Sequence, residues 1–371
     1  MSFLQKNDDL KKYSIIDTRQ FKDPEVLDKV LNLASEMEEL SDLSDNWIRN
    51  NELHDSEKDR LVELREKLYL SDYPRKPIMV SLFVQPSTRT SFSFTSAMKR
   101  IGGDVFGSEN AKDFSSFAKG ESIEDAAEVI GGYGDVIVMR HPGDENHPGN
   151  KVAVNFANSC PIPVINAGAG TDQHPTQSLL DVYTIRKEKS RLNDLNVAFI
   201  GDLKNGRTVR SLIYLLAQHS NNKIDLVSTD DYTLKLDMKE WLREKSPKTG
   251  IKFYEYDIDN VVDVLRNADV VYMTRLQKEY ETGRTDAANN SAYILTPKHV
   301  SEMNKDSIIM HPLPRVDEID PAVDDDPRSK YFEQAKNGLY TRMALLNMVL
   351  TEKHGITDWE YDSEKAANSY K

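Results

Sequence analysis

From Val26 through Val30, Leu33 and Met37, apolar residues recur at three- and four-residue steps, the spacing of one face of a helix. That pattern predicts helix over residues 24–70, ended by Pro74 and Pro77. The period then changes. Ile78-Met79-Val80-Ser81-Leu82-Phe83-Val84 is a nearly unbroken β-rich run, and it leads through Pro86-Ser87-Thr88-Arg89-Thr90 into a helical pattern carrying Phe94, Met98 and Ile101. Strand, polar turn and helix make an α/β unit. The rhythm returns at residues 136–139, which end at Arg140. It returns again at 163–167, before Gly168-Ala169-Gly170, His174 and a helix through Leu179, Leu180 and Val182. Residues 197–200 lead to Gly201-Asp202, and 224–228, 270–273 and 307–310 read as further strands, the last ending at His311. Apolar strands alternating with helices predict parallel sheets covered on both faces. The units group before and after about residue 180. The expected fold class is therefore α/β, with two parallel-sheet αβα domains joined by a helix near residues 174–190.

Length agrees, since 371 residues allow roughly two to three domains. Hydrophobic residues, at 39%, suffice for buried cores. The 48 Lys and Arg against 61 Asp and Glu give a net charge of −13. Such acidity argues against coating nucleic acid or an anionic membrane, but leaves room for a locally basic pocket. Acidic stretches near residues 36–45 and at Asp324-Asp325-Asp326 read as solvated helix ends or turns. The single cysteine, Cys160, excludes an internal disulfide framework and a multi-cysteine zinc site. It reads as a small core residue. No apolar run approaches the ~18 residues of a membrane helix, and Asp8 and Asp9 follow the first residues too soon for a signal peptide. A cytoplasmic location is expected.

In open α/β sheets, ligands bind beyond the carboxyl ends of the strands. Those positions hold Ser87-Thr88-Arg89-Thr90, Arg140-His141-Pro142, His174-Pro175-Thr176-Gln177, Arg207, Arg275-Leu276-Gln277 and His311-Pro312-Leu313-Pro314-Arg315. The arginines 89, 140, 207 and 275 predict a cationic site in an acidic protein, fit for a small ligand bearing phosphate and carboxylates. At a helix N-terminus, Ser87-Thr88-Arg89-Thr90 would add hydroxyls and a guanidinium to the free backbone N–H groups of the first turn. The alternative is an ordinary N-cap beside an exposed arginine. His174 and His311 each have a structural reading too, His311 as a buried packing residue. No second metal ligand lies at suitable spacing near His174. Ser87 lacks the G-x-S-x-G elbow of a nucleophile. Gly201-Asp202-Leu203-Lys204-Asn205-Gly206-Arg207 lacks G-x-G-x-x-G, no Walker A motif is present, and the Asn289-Asn290-Ser291 sequon carries no weight in a cytosolic chain.

Together and in this order, the blocks resemble the aspartate and ornithine carbamoyltransferase family, from about residue 14 to about residue 352. Ser87-Thr88-Arg89-Thr90 is similar to the carbamoyl-phosphate signature. Met139-Arg140-His141-Pro142, His174-Pro175-Thr176-Gln177 and His311-Pro312-Leu313-Pro314-Arg315 match further blocks. Pro312 stands where ornithine enzymes usually carry cysteine. Arg275-Leu276-Gln277-Lys278-Glu279 and the loop lysine Lys119 resemble the aspartate branch. The resemblance implies transfer of a carbamoyl group from carbamoyl phosphate to L-aspartate, the committed step toward pyrimidines, with no metal, cofactor or covalent intermediate. It implies that Ser87, Thr88, Arg89, Thr90 and Arg140 hold phosphate, and that Thr90, Arg140 and His174 polarise the carbonyl oxygen. Gln177 and the carbonyls of Leu313 and Pro314 would hold the carbamoyl NH2. Arg207 would take the α-carboxylate of aspartate, and Arg275 with Gln277 its β-carboxylate side. Ser115 and Lys119 would enter from a neighbouring subunit, implying a homotrimer with shared sites. Residues 1–178 plus 335–371 would form the carbamoyl-phosphate domain and 179–334 the aspartate domain, the last helix returning to the first. No regulatory chain can be read from the sequence.

Two positions depart from the aspartate pattern. Gln85 stands where an acidic residue is usual, and Tyr280 where arginine is usual. In the family these two groups pair across the domains when the site closes. Losing both charges avoids leaving one unpaired. Asn205 replaces a frequent tyrosine. Either closure is held differently, or the acceptor is an amine other than aspartate. A catalytically silent binding paralogue and a nucleotide-binding dehydrogenase are the readings from other classes. Residues 40–75 look like a surface helical insertion.

Overall fold

The computed structural model describes residues 14–50, 52–70, 75–109, 120–143, 149–168, 173–276 and 294–351. The chain divides into two compact units, Met1–Leu179 with Asn337–Lys371, and Leu180–Lys336.

The first unit begins with α1 (Pro24–Asn50) and α2 (Asp55–Leu68). Its alternating elements follow: β1 (Ile78–Phe83), α3 (Thr88–Arg100), β2 (Asp104–Ser108), α4 (Ile123–Gly131), β3 (Val136–Arg140), α5 (Gly149–Ser159) and β4 (Val164–Asn166). The strands form one parallel sheet in the order β2-β1-β3-β4. Ile15 extends it beyond β4, its N–H on the Val164 carbonyl at 2.8 Å. Ile137, Met139, Phe156, Cys160 and Val164 lie in a fully buried cluster on this sheet. The predicted helix over residues 24–70 is broken at His54, whose N–H donates to Glu57 Oε2 at 2.8 Å and so caps α2. The segment at 40–75 is more than solvated surface. Leu64 and Leu68 are buried, and Asn347 Nδ2 donates to the Leu68 carbonyl at 2.8 Å.

Helix α6 (Pro175–Lys189) leads the chain into the second unit. There follow β5 (Asn196–Ile200), α7 (Arg207–Leu216), β6 (Lys223–Val227), α8 (Leu236–Thr249), β7 (Lys252–Tyr256), α9 (Val261–Leu265), β8 (Val270–Met273), α10 (Pro297–Glu302), β9 (Ile308–Met310) and α11 (Tyr331–Thr351). These strands make a second parallel sheet, β7-β6-β5-β8-β9. Ala198, Ile200, Val271, Met273 and Ile309 pack into its buried cluster. Helix α11 returns the chain to the first unit at Asn337.

The strand orders locate the switch points. In the first sheet the chain runs outward from β1 to β2, then resumes on the other side with β3 and β4. In the second it runs from β5 to β7, then resumes beside β5 with β8 and β9. Ligands of doubly wound sheets settle where the order reverses, here between β1 and β3 and between β5 and β8.

Candidate active site

Arg140 closes β3 opposite Phe83 of β1, so both chains leave the sheet side by side at the first switch point. The Arg140 carbonyl accepts N–H bonds from Val84 at 2.9 Å and Gln85 at 3.3 Å. These bonds aim the following turn back across the strand ends, and α3 starts at Thr88. Ser87 is its N-cap residue, yet the Ser87 hydroxyl makes no cap bond. It donates to Thr90 Oγ1 at 3.0 Å and accepts from Arg140 Nη1 at 3.2 Å. The ordinary-cap reading of this motif therefore fails, because the hydroxyl that would cap the helix is drawn to the arginine. Thr88 and Arg89 occupy the exposed first turn, and Thr90 is buried. Burial of part of the Arg89 guanidinium pulls its pKa below the ordinary arginine value, without removing its charge.

His174 comes next along the sheet, after β4. Its carbonyl accepts the N–H groups of Gln177 at 3.0 Å and Ser178 at 3.1 Å, so it starts α6 and puts Gln177 in the first turn. The His174 side chain is buried. Gly168 lies against its ring with φ +102°, and a Cβ there would stand 2.7 Å from His174 Nε2. Asn166 fixes this approach, since its Oδ1 accepts the Gly168 N–H at 2.9 Å while its Nδ2 donates to the Ile16 carbonyl at 2.8 Å. Reasoning from motifs passed over Asn166 and Gly168. Their only sequence signal is an Asn-Ala-Gly turn directly after a strand.

The second unit carries the remaining positions on the ends of three adjacent strands. After β5, Gly201 has φ +120° and a Cβ there would meet the Thr274 carbonyl oxygen at 2.3 Å. Asp202 Oδ1 accepts the N–H groups of Lys204 at 3.1 Å and Asn205 at 2.9 Å, and Asn205 Nδ2 donates to Asp202 Oδ2 at 3.0 Å. This tight turn delivers the half-buried Arg207 to the start of α7. Thr274 bonds through its N–H to the Ile200 carbonyl at 2.9 Å, which places half-buried Arg275 beside the same strand end. After β9, His311 is buried and Leu313 adopts φ +53°. The Leu313–Pro314 bond is cis.

Helices α3, α6 and α7 carry no acidic residue in their first turns, a feature shared by α5 and α10. An acid stabilises a helix N-terminus but competes with a bound anion there. The helices that start at the candidate positions thus place no carboxylate in competition with a bound anion. Ser115, Lys119, Gln277 and Tyr280 lie outside the described residues, as does the Asn289 sequon. Among the described residues no group of three or more His, Cys, Asp and Glu side chains could hold a metal ion. Among them too, no helix is long and apolar enough to cross a membrane.

Residues 14–187 match the carbamoyl-P binding domain of aspartate/ornithine carbamoyltransferase, and residues 193–349 match the Asp/Orn binding domain. The chloroplastic aspartate carbamoyltransferase of Arabidopsis thaliana is 44% identical over 347 residues, 92% of this chain and 80% of that protein. The catalytic subunit of M. jannaschii aspartate transcarbamoylase superposes with a TM-score of 0.75 at 38% identity, covering 92% of this chain and 99% of that one. The Trypanosoma cruzi aspartate transcarbamoylase solved with N-(phosphonacetyl)-L-aspartic acid gives 0.74 at 33% identity, covering 91% and 95%. Both halves of the chain and its whole fold agree: it belongs to the aspartate/ornithine carbamoyltransferase family.

Proposed function

We infer that this protein is an aspartate carbamoyltransferase catalytic chain. It transfers the carbamoyl group of carbamoyl phosphate to the amino group of L-aspartate, giving N-carbamoyl-L-aspartate and phosphate. The observation that carries the reading is the Ser87–Thr90–Arg140 cluster at the start of α3. There a cap hydroxyl is engaged by an arginine at a switch point, beside free N–H groups suited to phosphate. Relatives across most of the chain bear the same activity in their names.

In this reading residues 1–178 with 335–371 bind carbamoyl phosphate and 179–334 bind aspartate. Ser87, Thr88, Arg89, Thr90 and Arg140 hold the phosphate. Attack by the amine forms the new C–N bond and puts negative charge on the carbonyl oxygen, which Thr90, Arg140 and His174 stabilise. The C–O bond to phosphate then breaks, the extra proton of the amine passes to the departing phosphate, and Arg89 and Arg140 stabilise the charge of that leaving group. Gln177 and the carbonyls of Leu313 and Pro314 hold the carbamoyl NH2. Arg207 binds the α-carboxylate of aspartate, and Arg275 with Gln277 the β-carboxylate. Bidentate arginine–carboxylate forks set the accepted length of the substrate. Ser115 and Lys119 come from the neighbouring subunit of a homotrimer, and the enzyme works in the cytoplasm without metal or cofactor.

A second reading changes only the acceptor, and Gln85 favours it. This neutral, half-buried residue sits at the turn where aspartate enzymes usually carry an acid. Titration with N-(phosphonacetyl)-L-aspartic acid, the compound bound by the Trypanosoma cruzi relative, tests the main reading. Binding that Arg140→Ala abolishes is expected. Binding of inorganic phosphate without binding of this compound would favour another acceptor.

A further inference from the structure

The turn after β9 is held by more contacts than its own backbone supplies. Leu313, at φ +53°, sits in a conformation that an L-residue keeps only when its surroundings enforce it. Its N–H donates to His311 Nδ1 at 2.8 Å. That bond makes Nδ1 an acceptor, so the neutral ring carries its proton on Nε2. Nε2–H donates to Glu318 Oε1 at 2.7 Å, and the other carboxylate oxygen of Glu318 accepts the N–H groups of Val316 at 3.0 Å and Asp317 at 3.1 Å. The far side of His311 is fixed as well. Its backbone N–H donates to Gln334 Oε1 at 2.9 Å, Gln334 Nε2 donates to Asp181 Oδ1 at 2.6 Å, and the Tyr272 hydroxyl donates to Asp181 Oδ2 at 2.8 Å. His311, Glu318, Gln334, Asp181 and Tyr272 are all buried. A hydrogen-bond chain thus links β8, α6 and α11 to the turn, with donors converging on the Asp181 carboxylate from both sides.

We propose that His311, Glu318 and Gln334 are positioning residues for carbamoyl-group recognition: they set the ring of His311, and through it the direction of the Leu313 and Pro314 carbonyls. This rests on the assignment of those two carbonyls to the carbamoyl NH2. A buried polar network that is fully satisfied fixes one geometry and costs most when one member is removed. Protonation of Nδ1 would set two N–H groups against each other at Leu313, so the device requires neutral His311.

Inorganic phosphate has no carbamoyl group, and this separates positioning from general damage to the fold. In Glu318→Ala the KM for carbamoyl phosphate is expected to rise about three- to tenfold, the weight of one well-placed hydrogen bond. Inhibition by phosphate should stay within twofold of wild type. Glu318→Gln keeps an oxygen for Nε2–H and should recover part of the loss. His311→Asn keeps an acceptor for the Leu313 N–H, so it should be less harmed than His311→Phe. Unchanged KM in both Glu318 variants, or a parallel rise for carbamoyl phosphate and phosphate, would overturn the proposal. If Glu318→Ala does not fold, Glu318→Gln and His311→Asn decide by the same comparison. Wild-type protein with no carbamoyl phosphate turnover would instead overturn the functional reading beneath it.

Discussion

At the scale of single residues, chemistry follows from where a side chain cannot go. Ser87 gives up its cap bond because Arg140 and Thr90 compete for its hydroxyl. Gly168 has no side chain because the His174 ring fills the space a Cβ would need. Gly168→Ala should therefore cost about 1–3 kcal/mol of stability from its positive φ alone. It should also displace His174 and lower kcat, which urea unfolding and steady-state kinetics on one preparation would show. His174→Ala should lower kcat about 10²- to 10³-fold, the usual effect of losing one donor to a developing oxyanion. Circular dichroism should show its fold unchanged. The motif residues were legible in the sequence because arginine, hydroxyl and histidine side chains directly after apolar strands fall at the ligand-binding end of an open sheet. Gly168 and Glu318 were not, since their roles depend on how a turn folds back on itself, Gly168 onto His174 and Glu318 onto His311.

At the scale of elements, the buried strands announce themselves and the edges do not. The strands read from sequence lie inside their sheets or on well-covered flanks, where apolar runs are continuous. The two that sequence patterning missed, β2 and β7, are both edge strands, with mostly exposed side chains and polar residues interleaved. Phe199 on the central strand β5 is fully buried, its ring 5.5 Å from that of Tyr272. Phe199→Ala should destabilise the protein by about 3–5 kcal/mol, measured by chemical denaturation. The segment between β9 and α11 is tied by carboxylates. Burial raises Glu318, but the His311 N–H and nearby backbone N–H groups hold it below the usual value. Hydrogen bonds from Arg315 and Arg328 likewise lower Asp324 and Asp326. A carboxylate with a lowered folded pKa contributes its full stability above the unfolded value, about 4, and loses it as pH falls through the folded value. Asp326→Asn should thus cost about 1 kcal/mol at neutral pH, and the difference from wild type should vanish in strong acid. A constant difference across a pH series would contradict the pairing.

At the scale of the whole molecule, both sheets place cationic and hydroxyl side chains at their switch points, in a chain whose net charge is −13. Function here rests on local arrangement and not on bulk charge. The proposed trimer adds a test of its own. Mixing Lys119→Ala with His174→Ala chains, each inactive alone, should restore about a quarter of wild-type activity. That is the chance that random neighbours in a ring supply one intact half each. No recovery after verified subunit exchange would place Lys119 in the same chain's site. The most direct test is a steady-state assay at saturating carbamoyl phosphate with aspartate, ornithine, N-acetylornithine, diaminopropionate and putrescine, following phosphate release and carbamoylated product together. Turnover of aspartate alone is the expected result, and it would make Gln85 and Tyr280 a variant means of closing the site. Turnover of another amine with aspartate inert would contradict the reading, and would leave Arg207, Arg275 and Gln277 to a different acceptor.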